Sequence, residues 1–275
     1  MAFDLHTHST ASDGTLTPTK LVELAKQKGI SHLALTDHDT IAGLSEAAIA
    51  AELAGITLIP GVEISVTWQK RLFHMVALNI NPNNKALEEG LTGLQSIRLE
   101  RAKLMGERLA KKKIPNVFEK AQELAGEGMI TRTHFARVLV DNGYSSDVSS
   151  VFGSYLKPGK PGYVSTEWAS LEEALEWITA AGGIAVVAHP GRYRLSGSWM
   201  RRFLTAFKEL GGSGIEVVYG QANPVDITNG RRLALNFDLM ASTGSDFHTP
   251  ENRWSRFGSL PPLPQGVKPI WDLFQ

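Results

Sequence analysis

The stretch DLHTHSTASDG, residues 4–14, places two histidines and a carboxylate directly after a short apolar run. His6 and His8 are two residues apart, so in an extended strand both side chains face the same side. Asp13 follows five residues after His8. The pattern fits either the end of a strand that leads into a metal site or a polar first turn at a ragged N-terminus. The pair of histidines alone does not decide between the two.

The overall composition is that of an ordinary globular protein. The chain has 275 residues, 43% of them hydrophobic, and equal numbers of basic and acidic side chains, 28 of each. Because no overall basic field results, we expect no stable binding of double-stranded DNA and no anionic membrane as a partner. With no cysteine, disulfides, thiolate zinc sites and cysteine nucleophiles are excluded. No secretory signal or membrane-length apolar run is visible, so a cytoplasmic protein is expected.

Short strand-like runs alternate with stretches of helical periodicity. Seven strands are predicted: AFDLH (2–6), HLALTD (32–37), TLIPGVEISV (57–66), RLFHMVALNI (71–80), GIAVVAHP (183–190), GIEVVY (214–219) and DLMASTGSD (238–246). Strands that alternate with helices through short loops predict a parallel α/β fold, either an open doubly wound sheet or a closed barrel. In both architectures the functional residues lie at the carboxyl ends of the strands.

Residues 82–165 interrupt this alternation with long helical patterns and no convincing strand. We interpret them as a helical subdomain inserted between the fourth and fifth predicted strands. The flanking segments, 1–81 and 166–275, would then form one α/β domain.

Imidazole and carboxylate side chains recur at or near the ends of the predicted strands. They are His6, His8, Asp37, His38, Asp39, Glu63, His74, His189, Asp246 and His248. A lone histidine in a strand is more often a core or surface residue than a ligand, but a buried cluster of this size is costly unless metals hold it. Ligands without sulfur favour zinc, manganese or iron. The set is too large for one ion, so two or three ions are implied.

These residues carry a resemblance to the PHP (polymerase and histidinol phosphatase) superfamily. The matching motifs are DLHTHSTASDG, LTDHDT, PGVEIS, the later His74 and His134, AHP and SDFH, which span residues 4–248. The opening motif and the long helical insert are most similar to its stand-alone phosphoesterases, in the branch that acts on nucleoside 3′,5′-bisphosphates and, in some members, trims short RNA from the 5′ end. The resemblance implies a distorted seven-stranded (β/α) barrel, TIM-like, with a trinuclear site at its mouth under the helical insert.

The resemblance also assigns ligands to three ions, with manganese expected and zinc or iron as alternatives. The first ion would take His6, His8, Glu63 and Asp246; the second Glu63, His74 and His134; the third Asp13, His38 and His248. Glu63 would therefore bridge two ions. His134 lies within the insert, so the insert would supply one ligand.

The resemblance implies a phosphoesterase that hydrolyses a nucleoside 3′,5′-bisphosphate to the 5′-monophosphate and phosphate, and that trims short 5′-phosphorylated RNA. Clustered divalent ions lower the pKa of bound water, so we expect metal-bound hydroxide to attack phosphorus directly, with Glu63 holding the ions. His189 is the candidate general acid for the leaving oxygen. Its alternatives are a hydrogen-bond donor to phosphate and a residue that supports a ligand.

Fixed cations are needed for the substrate phosphate. Arg132 and Arg137 bracket His134, and Arg192 with Tyr193 follows His189. Guanidinium groups suit phosphate oxygens and the tyrosine could stack on a base, although a solvated helix face explains isolated arginines equally well.

Asp37 and Asp39, on either side of His38, are expected to orient imidazoles, with a turn or helix-cap role as the alternative.

Two other functions remain open on the sequence alone. A histidinol-phosphate phosphatase would share the fold and the metals. A non-catalytic PHP module would use the metals to stabilise a surface that binds a protein partner of unknown identity.

Overall fold

Strands and helices alternate along the computed structural model, which describes residues 2–274. In chain order the elements are β1 (Phe3–Asp4), α1 (Pro18–Gln27), β2 (His32–Leu35), α2 (Leu44–Ala54), β3 (Thr57–Trp68), β4 (Arg71–Leu78), α3 (Lys85–Ala110), α4 (Val117–Ala125), α5 (Arg132–Asp141), α6 (Val148–Val151), β5 (Ala169–Ser170), α7 (Leu171–Ala180), β6 (Ile184–Val187), α8 (Gly197–Glu209), β7 (Gly214–Tyr219), α9 (Pro224–Asn236) and β8 (Met240–Gly244). All seven strands predicted from the sequence are present. The two-residue strand β5 was not predicted.

The seven main strands form a barrel. Their order is β1-β2-β3-β4-β6-β7-β8, and β5 pairs with β3 outside this path. The last strand returns to the first, because the amide of Leu5 donates to the carbonyl of Thr243 at 3.0 Å and the amide of His8 to that of Phe247 at 2.9 Å. These bonds decide between the two predicted architectures and confirm the barrel.

Strand β4 corrects the expectation of an all-parallel sheet. It runs antiparallel to β3, with Ser65 opposite His74, and antiparallel to β6, with Met75 opposite Val187. The β3–β4 connection is a tight hairpin whose turn residues, Gln69 and Lys70, both have positive φ (46° and 64°), as the favoured hairpin turns require. His74 therefore lies in the first half of its strand, and only the reversed direction of that strand brings it to the mouth of the barrel.

Local signals account for where α1 lies. Thr17 caps the helix by accepting from the amide of Lys20, Pro18 follows at its first position, and Gly29 just beyond its end has a φ of 74°. Leu21 and Val22 are buried in the main hydrophobic core.

The segment between β4 and β5 is helical. Helices α3 to α6 share an apolar core of their own, which includes Met105, Leu109, Phe135 and Leu139. The division of the chain at 82 and 165 stays a prediction, to which this separate core lends support. Among residues 2–274, no helix is long and apolar enough to cross a membrane.

Candidate metal centre

The loop that carries the first two histidines is folded by Asp37. This carboxylate accepts hydrogen bonds from the amide of Ser9 (2.8 Å), the hydroxyl of Ser9 (2.6 Å) and the hydroxyl of Ser12 (2.6 Å). Asp39 instead accepts from the amide of Ser65 and from Arg98 Nε, both at 2.6 Å. Both aspartates thus position backbone and side chains around the site, whereas the sequence suggested that they orient imidazoles directly.

Glu63 lies at the middle of the site. Its carboxylate oxygens are close to ring nitrogens of five histidines: His6 (3.4 Å), His8 (3.5 Å), His38 (2.7 Å), His74 (2.8 Å) and His189 (3.1 Å). The carboxylate itself is fully buried. The single charge of Glu63 cannot balance five cations, so these imidazoles are not all protonated together, and the neutral ones can present lone pairs to a common space.

The first cluster brings together His6, His8, Glu63 and Asp246, the residues that the resemblance assigned to the first ion. The Nε2 atoms of His6 and His8 are 3.1 Å apart, and Asp246 Oδ1 is 3.4 Å and 3.2 Å from them. Ligand atoms that sit about 2.1 Å from one ion lie roughly 3.0 to 3.4 Å apart in octahedral or tetrahedral geometry. These spacings fit one divalent ion.

The second cluster is built on Glu63 Oε1. His74 Nδ1 lies 2.8 Å and His189 Nε2 3.1 Å from this oxygen. The other carboxylate oxygen, Glu63 Oε2, lies 2.7 Å from His38 Nδ1. Neither Glu63 Oε2 nor His38 Nδ1 has a hydrogen-bond partner of acceptable geometry. Buried polar atoms that face each other without a hydrogen bond are the kind of arrangement that a bound cation resolves.

The third cluster joins Asp13 to two histidines. Asp13 Oδ1 lies 3.3 Å from His248 Nε2 and 3.8 Å from His38 Nε2. His248 Nδ1 is 2.9 Å from the carbonyl of Asp246, and a donated hydrogen bond there leaves the Nε2 lone pair free for a metal. The structure therefore brings together all three members that the resemblance assigned to the third ion.

His134 differs from the expectation. Among the described residues, no candidate ligand cluster includes it. Its Nδ1 accepts a hydrogen bond from the amide of Thr131 at 3.1 Å, as part of the cap of α5. The proton of the neutral ring is then on Nε2, which makes this nitrogen a donor and not a ligand. His189, predicted as the general acid, occupies the position beside Glu63 and His74 that the resemblance gave to His134.

The electrostatics of the site keep some of its imidazoles neutral and others protonated near neutral pH. Burial lowers the pKa of His8 to about 3 and that of His74 to about 4, so both rings stay neutral. Burial acts to raise the pKa of Glu63, but His74 and His38 hold it well below its usual range. His248 differs: burial acts to lower its pKa, but Asp13 and Asp246 raise it to about 9, so an ion that binds at its Nε2 must displace a proton.

Glu216 is a residue of the site that the sequence reasoning missed. Its carboxylate lies 2.7 Å from His6 Nδ1 and also accepts the backbone amide of His189. A carboxylate behind a metal-ligating imidazole fixes the tautomer and directs the other nitrogen toward the ion. One signal was available: a charged side chain inside the otherwise apolar strand GIEVVY.

The predicted substrate contacts separate into two groups. Arg137 donates to the carbonyl of Asp13 at 2.7 Å, Arg192 pairs with the Asp246 carboxylate, and the hydroxyl of Tyr193 accepts the amide of His74 at 3.0 Å. These three residues hold parts of the metal centre in place. Arg132 alone lines a cavity next to the metal centre, with its guanidinium over the ring of Phe152.

Comparisons with known proteins give a consistent picture. The family described as PHP domain matches residues 4–217. A 3′,5′-nucleoside bisphosphate phosphatase from Chromobacterium violaceum is 47% identical over 98% of this chain and 94% of its own. The 5′-3′ exoribonuclease Rnm from Escherichia coli is 44% identical over 99% of this chain and 94% of its own.

Solved structures agree with the sequence relatives. A protein from Chromobacterium violaceum described as an amidohydrolase, with sulfate bound and no metal, superposes with a TM-score of 0.95 at 46% identity, over 99% of this chain and 95% of its own. A protein from Bifidobacterium adolescentis described as a metal-dependent phosphoesterase superposes with a TM-score of 0.83 at 30% identity, over 98% and 93% of the two chains.

Proposed function

Because the chain belongs to the PHP domain family, we propose that it is a metal-dependent phosphoesterase that acts on nucleoside 3′,5′-bisphosphates and on the 5′ ends of short RNA. The observation that carries this proposal is the buried carboxylate of Glu63 within 3.5 Å of ring nitrogens from five histidines. The relatives that bear these two activities cover nearly the whole chain, which supports the choice of substrate.

We assign the candidate ligands to three divalent ions, with manganese as the expected metal. The first set is His6, His8, Glu63 and Asp246; the second is Glu63, His74 and His189; the third is Asp13, His38 and His248. When bound, such ions would supply hydroxide near neutral pH and would offset the charge on the phosphoryl oxygens. We assign His189 to the second ion in place of His134, because a hydrogen bond from the backbone already occupies His134 Nδ1.

The reaction proposed is hydrolysis: the oxygen of water bonds to phosphorus, the ester bond to the 3′ oxygen breaks, and that oxygen takes up a proton. His189 Nε2 faces Glu63 and cannot bind an ion and deliver a proton with the same lone pair. We therefore favour a ligand role for His189 over the general-acid role. Arg132 stays as a proposed contact to the phosphate.

The test is a phosphate-release screen of protein reconstituted with Mn²⁺. It compares adenosine 3′,5′-bisphosphate, a short 5′-phosphorylated RNA and histidinol phosphate under the same conditions. We expect turnover of the first two and little of the third. Fast turnover of histidinol phosphate with weak turnover of the nucleotides would instead support the histidinol-phosphate phosphatase, and no release from any substrate would support a binding module. A cytoplasmic location is proposed with this function, and fractionation of cells that express the chain would test it.

A further inference from the structure

The helical segment between β4 and β5 contacts one candidate ligand of the metal centre directly. The hydroxyl of Thr131, the residue before α5, lies 2.9 Å from Asp13 Oδ2, and Arg137 donates to the backbone carbonyl of Asp13 at 2.7 Å. Among residues 2–274, no other candidate ligand is hydrogen-bonded by this segment. Asp13 is therefore the point at which the helical segment reaches the ligands.

The surroundings of Thr131 fix the direction of its bond to Asp13. The hydroxyl oxygen accepts the amide of Thr133 at 3.1 Å in the cap of α5. His134 Nδ1 lies 3.4 Å from this oxygen, but it already accepts the backbone amide of Thr131. The hydroxyl hydrogen is thus available to the carboxylate, which only accepts. One hydroxyl therefore serves both the helix cap and Asp13.

This bond leaves the other oxygen of Asp13 for a metal. Asp13 Oδ1 has no hydrogen-bond partner and lies 3.3 Å from His248 Nε2 and 3.8 Å from His38 Nε2. The last torsion of an aspartate is soft, so a donor on Oδ2 is needed to keep Oδ1 directed at the two imidazoles. Asp13 is 1% and Thr131 4% exposed, so bulk water does not reach the bond.

The first cluster is supported from within the barrel instead. Glu216 of β7 lies behind His6, and Arg192, which follows β6, pairs with Asp246. Hydrogen-bonded partners of this kind orient metal ligands and raise their affinity for the ion. The third cluster differs from the first because the partners of Asp13 come from the helical segment.

Backbone contacts hold the loop of Asp13 against the same segment. The amide of Met129 donates to the carbonyl of Ala11 at 2.8 Å. A Cβ atom at Gly128 would overlap the carbonyl oxygen of Thr10, so this close approach requires glycine. The loop and the start of α5 therefore stay together without the help of the Thr131 hydroxyl, and its loss can be tested by itself.

We propose that Thr131 is a positioning residue for the third ion. Its hydroxyl holds Asp13 Oδ2, so that Oδ1 is directed to the ion together with His38 and His248. The affinity for this ion then depends on the contact between the helical segment and the barrel, whereas the affinity for the other two does not. This inference rests on the proposed function, which assigns three ions, and adds the residue that controls the third.

The experiment is a calorimetric titration of metal-free protein with Mn²⁺, in wild type, Thr131→Val and Thr131→Ser. Valine has the shape of threonine and tolerates the extended backbone of this residue (φ −128°), but it lacks the hydroxyl. We expect the affinity for one ion to fall about 10- to 100-fold, as when the partner of a ligand is lost, and the affinity for the others to stay unchanged. Serine keeps the hydroxyl and should restore the wild-type affinity.

Asp13→Ala identifies the binding event that is affected. This variant should lack the same event that Thr131→Val weakens. Adding Thr131→Val to Asp13→Ala should not change the binding of the remaining ions further, because the two residues act through one interaction.

Thr17→Val is the matched control. Thr17 caps α1 as Thr131 caps α5, with its hydroxyl accepting the amide of Lys20 at 3.3 Å, and among the described residues this hydroxyl has no bond to a candidate ligand. The control should lose a helix cap and bind every ion as wild type does. If circular dichroism shows that Thr131→Val is unfolded, Thr131→Gly replaces it, because glycine at this position of a helix costs little stability.

The outcomes separate the two proposals. If wild type binds no Mn²⁺, or if Asp13→Ala removes no binding event, the proposed metal centre fails and the role of Thr131 fails with it. If Asp13→Ala removes one event but the folded Thr131→Val protein binds every ion with wild-type affinity, Thr131 has no such role and the proposed function stands. The same conclusion follows if Thr131→Val weakens all ions alike, or if Thr131→Ser binds as weakly as Thr131→Val.

Discussion

Replacement of Glu216 by glutamine tests how the protein prepares His6 to bind an ion. In the structure Glu216 accepts two hydrogen bonds, from His6 Nδ1 and from the backbone amide of His189. A glutamine has nearly the same size, but it offers one acceptor oxygen and one NH₂ donor group. One of the two partners of residue 216 must therefore face a donor after the substitution.

Both arrangements of the glutamine weaken the first cluster. If the NH₂ group faces His6, the ring accepts at Nδ1 and carries its proton on Nε2, the atom that lies 3.1 Å from His8 Nε2. If the NH₂ group faces His189, two buried N–H groups meet and one loses its partner. Either change costs about 1–3 kcal/mol, which corresponds to an affinity for the ion about 10- to 100-fold lower. Loss of the partner of a metal-ligating histidine has effects of the same size.

The measurement is a titration of metal-free protein with Mn²⁺, followed by calorimetry and by the electron paramagnetic resonance signal of the free ion. Glu209→Gln serves as the control, since it removes the same charge from an exposed residue at the end of α8. We expect the substitution of Glu216 to weaken one binding event and the control to weaken none. A folded Glu216→Gln protein that binds every ion with wild-type affinity would refute the reasoning.

Three further predictions concern the ligands and one buried acid. His189→Ala should remove one bound ion and His134→Ala none, as counted by plasma mass spectrometry; the reverse result would restore His134 as the ligand. Asp13→Ala should lose one ion and most phosphate release, because its Oδ1 belongs to the third cluster; full activity would contradict that cluster. Burial raises the pKa of Asp4 from 3.8 to about 7, so the folded state holds a proton that the unfolded state releases. The free energy of unfolding should fall as pH rises between about 4 and 7, by at most ~4 kcal/mol. Asp4→Asn should lack this fall in urea unfolding of metal-free protein at pH 5 and pH 8, and equal pH dependence in both proteins would exclude the effect.

The sequence was sufficient for the elements and the ligand types because both depend on local patterns. The alternation of strand and helix, the cap of α1 and the spacing of His6 and His8 can each be recognised within a short stretch of sequence. The rule that functional residues follow the carboxyl ends of strands then grouped side chains that lie far apart in the chain. The choice between open sheet and barrel needed the family resemblance, because the same strands and helices fit both.

The tertiary structure alone decided which atoms meet. The direction of β4 depends on its pairing with β3 and β6. Because β4 runs antiparallel to both, His74 reaches the mouth of the barrel from the first half of its strand and not from its carboxyl end. The partner of His6 lies 210 residues away, at Glu216, and no local pattern encodes such a contact.

The choice between His189 and His134 as the candidate ligand also depended on the tertiary structure. It depends on which ring nitrogen is already used in a hydrogen bond. The sequence by itself determined the fold class and the kinds of ligand, since these follow from periodicity and residue chemistry. Only the folded chain decided which candidate ligands meet in each cluster and which group supports each imidazole, because each of these arises where distant segments pack together.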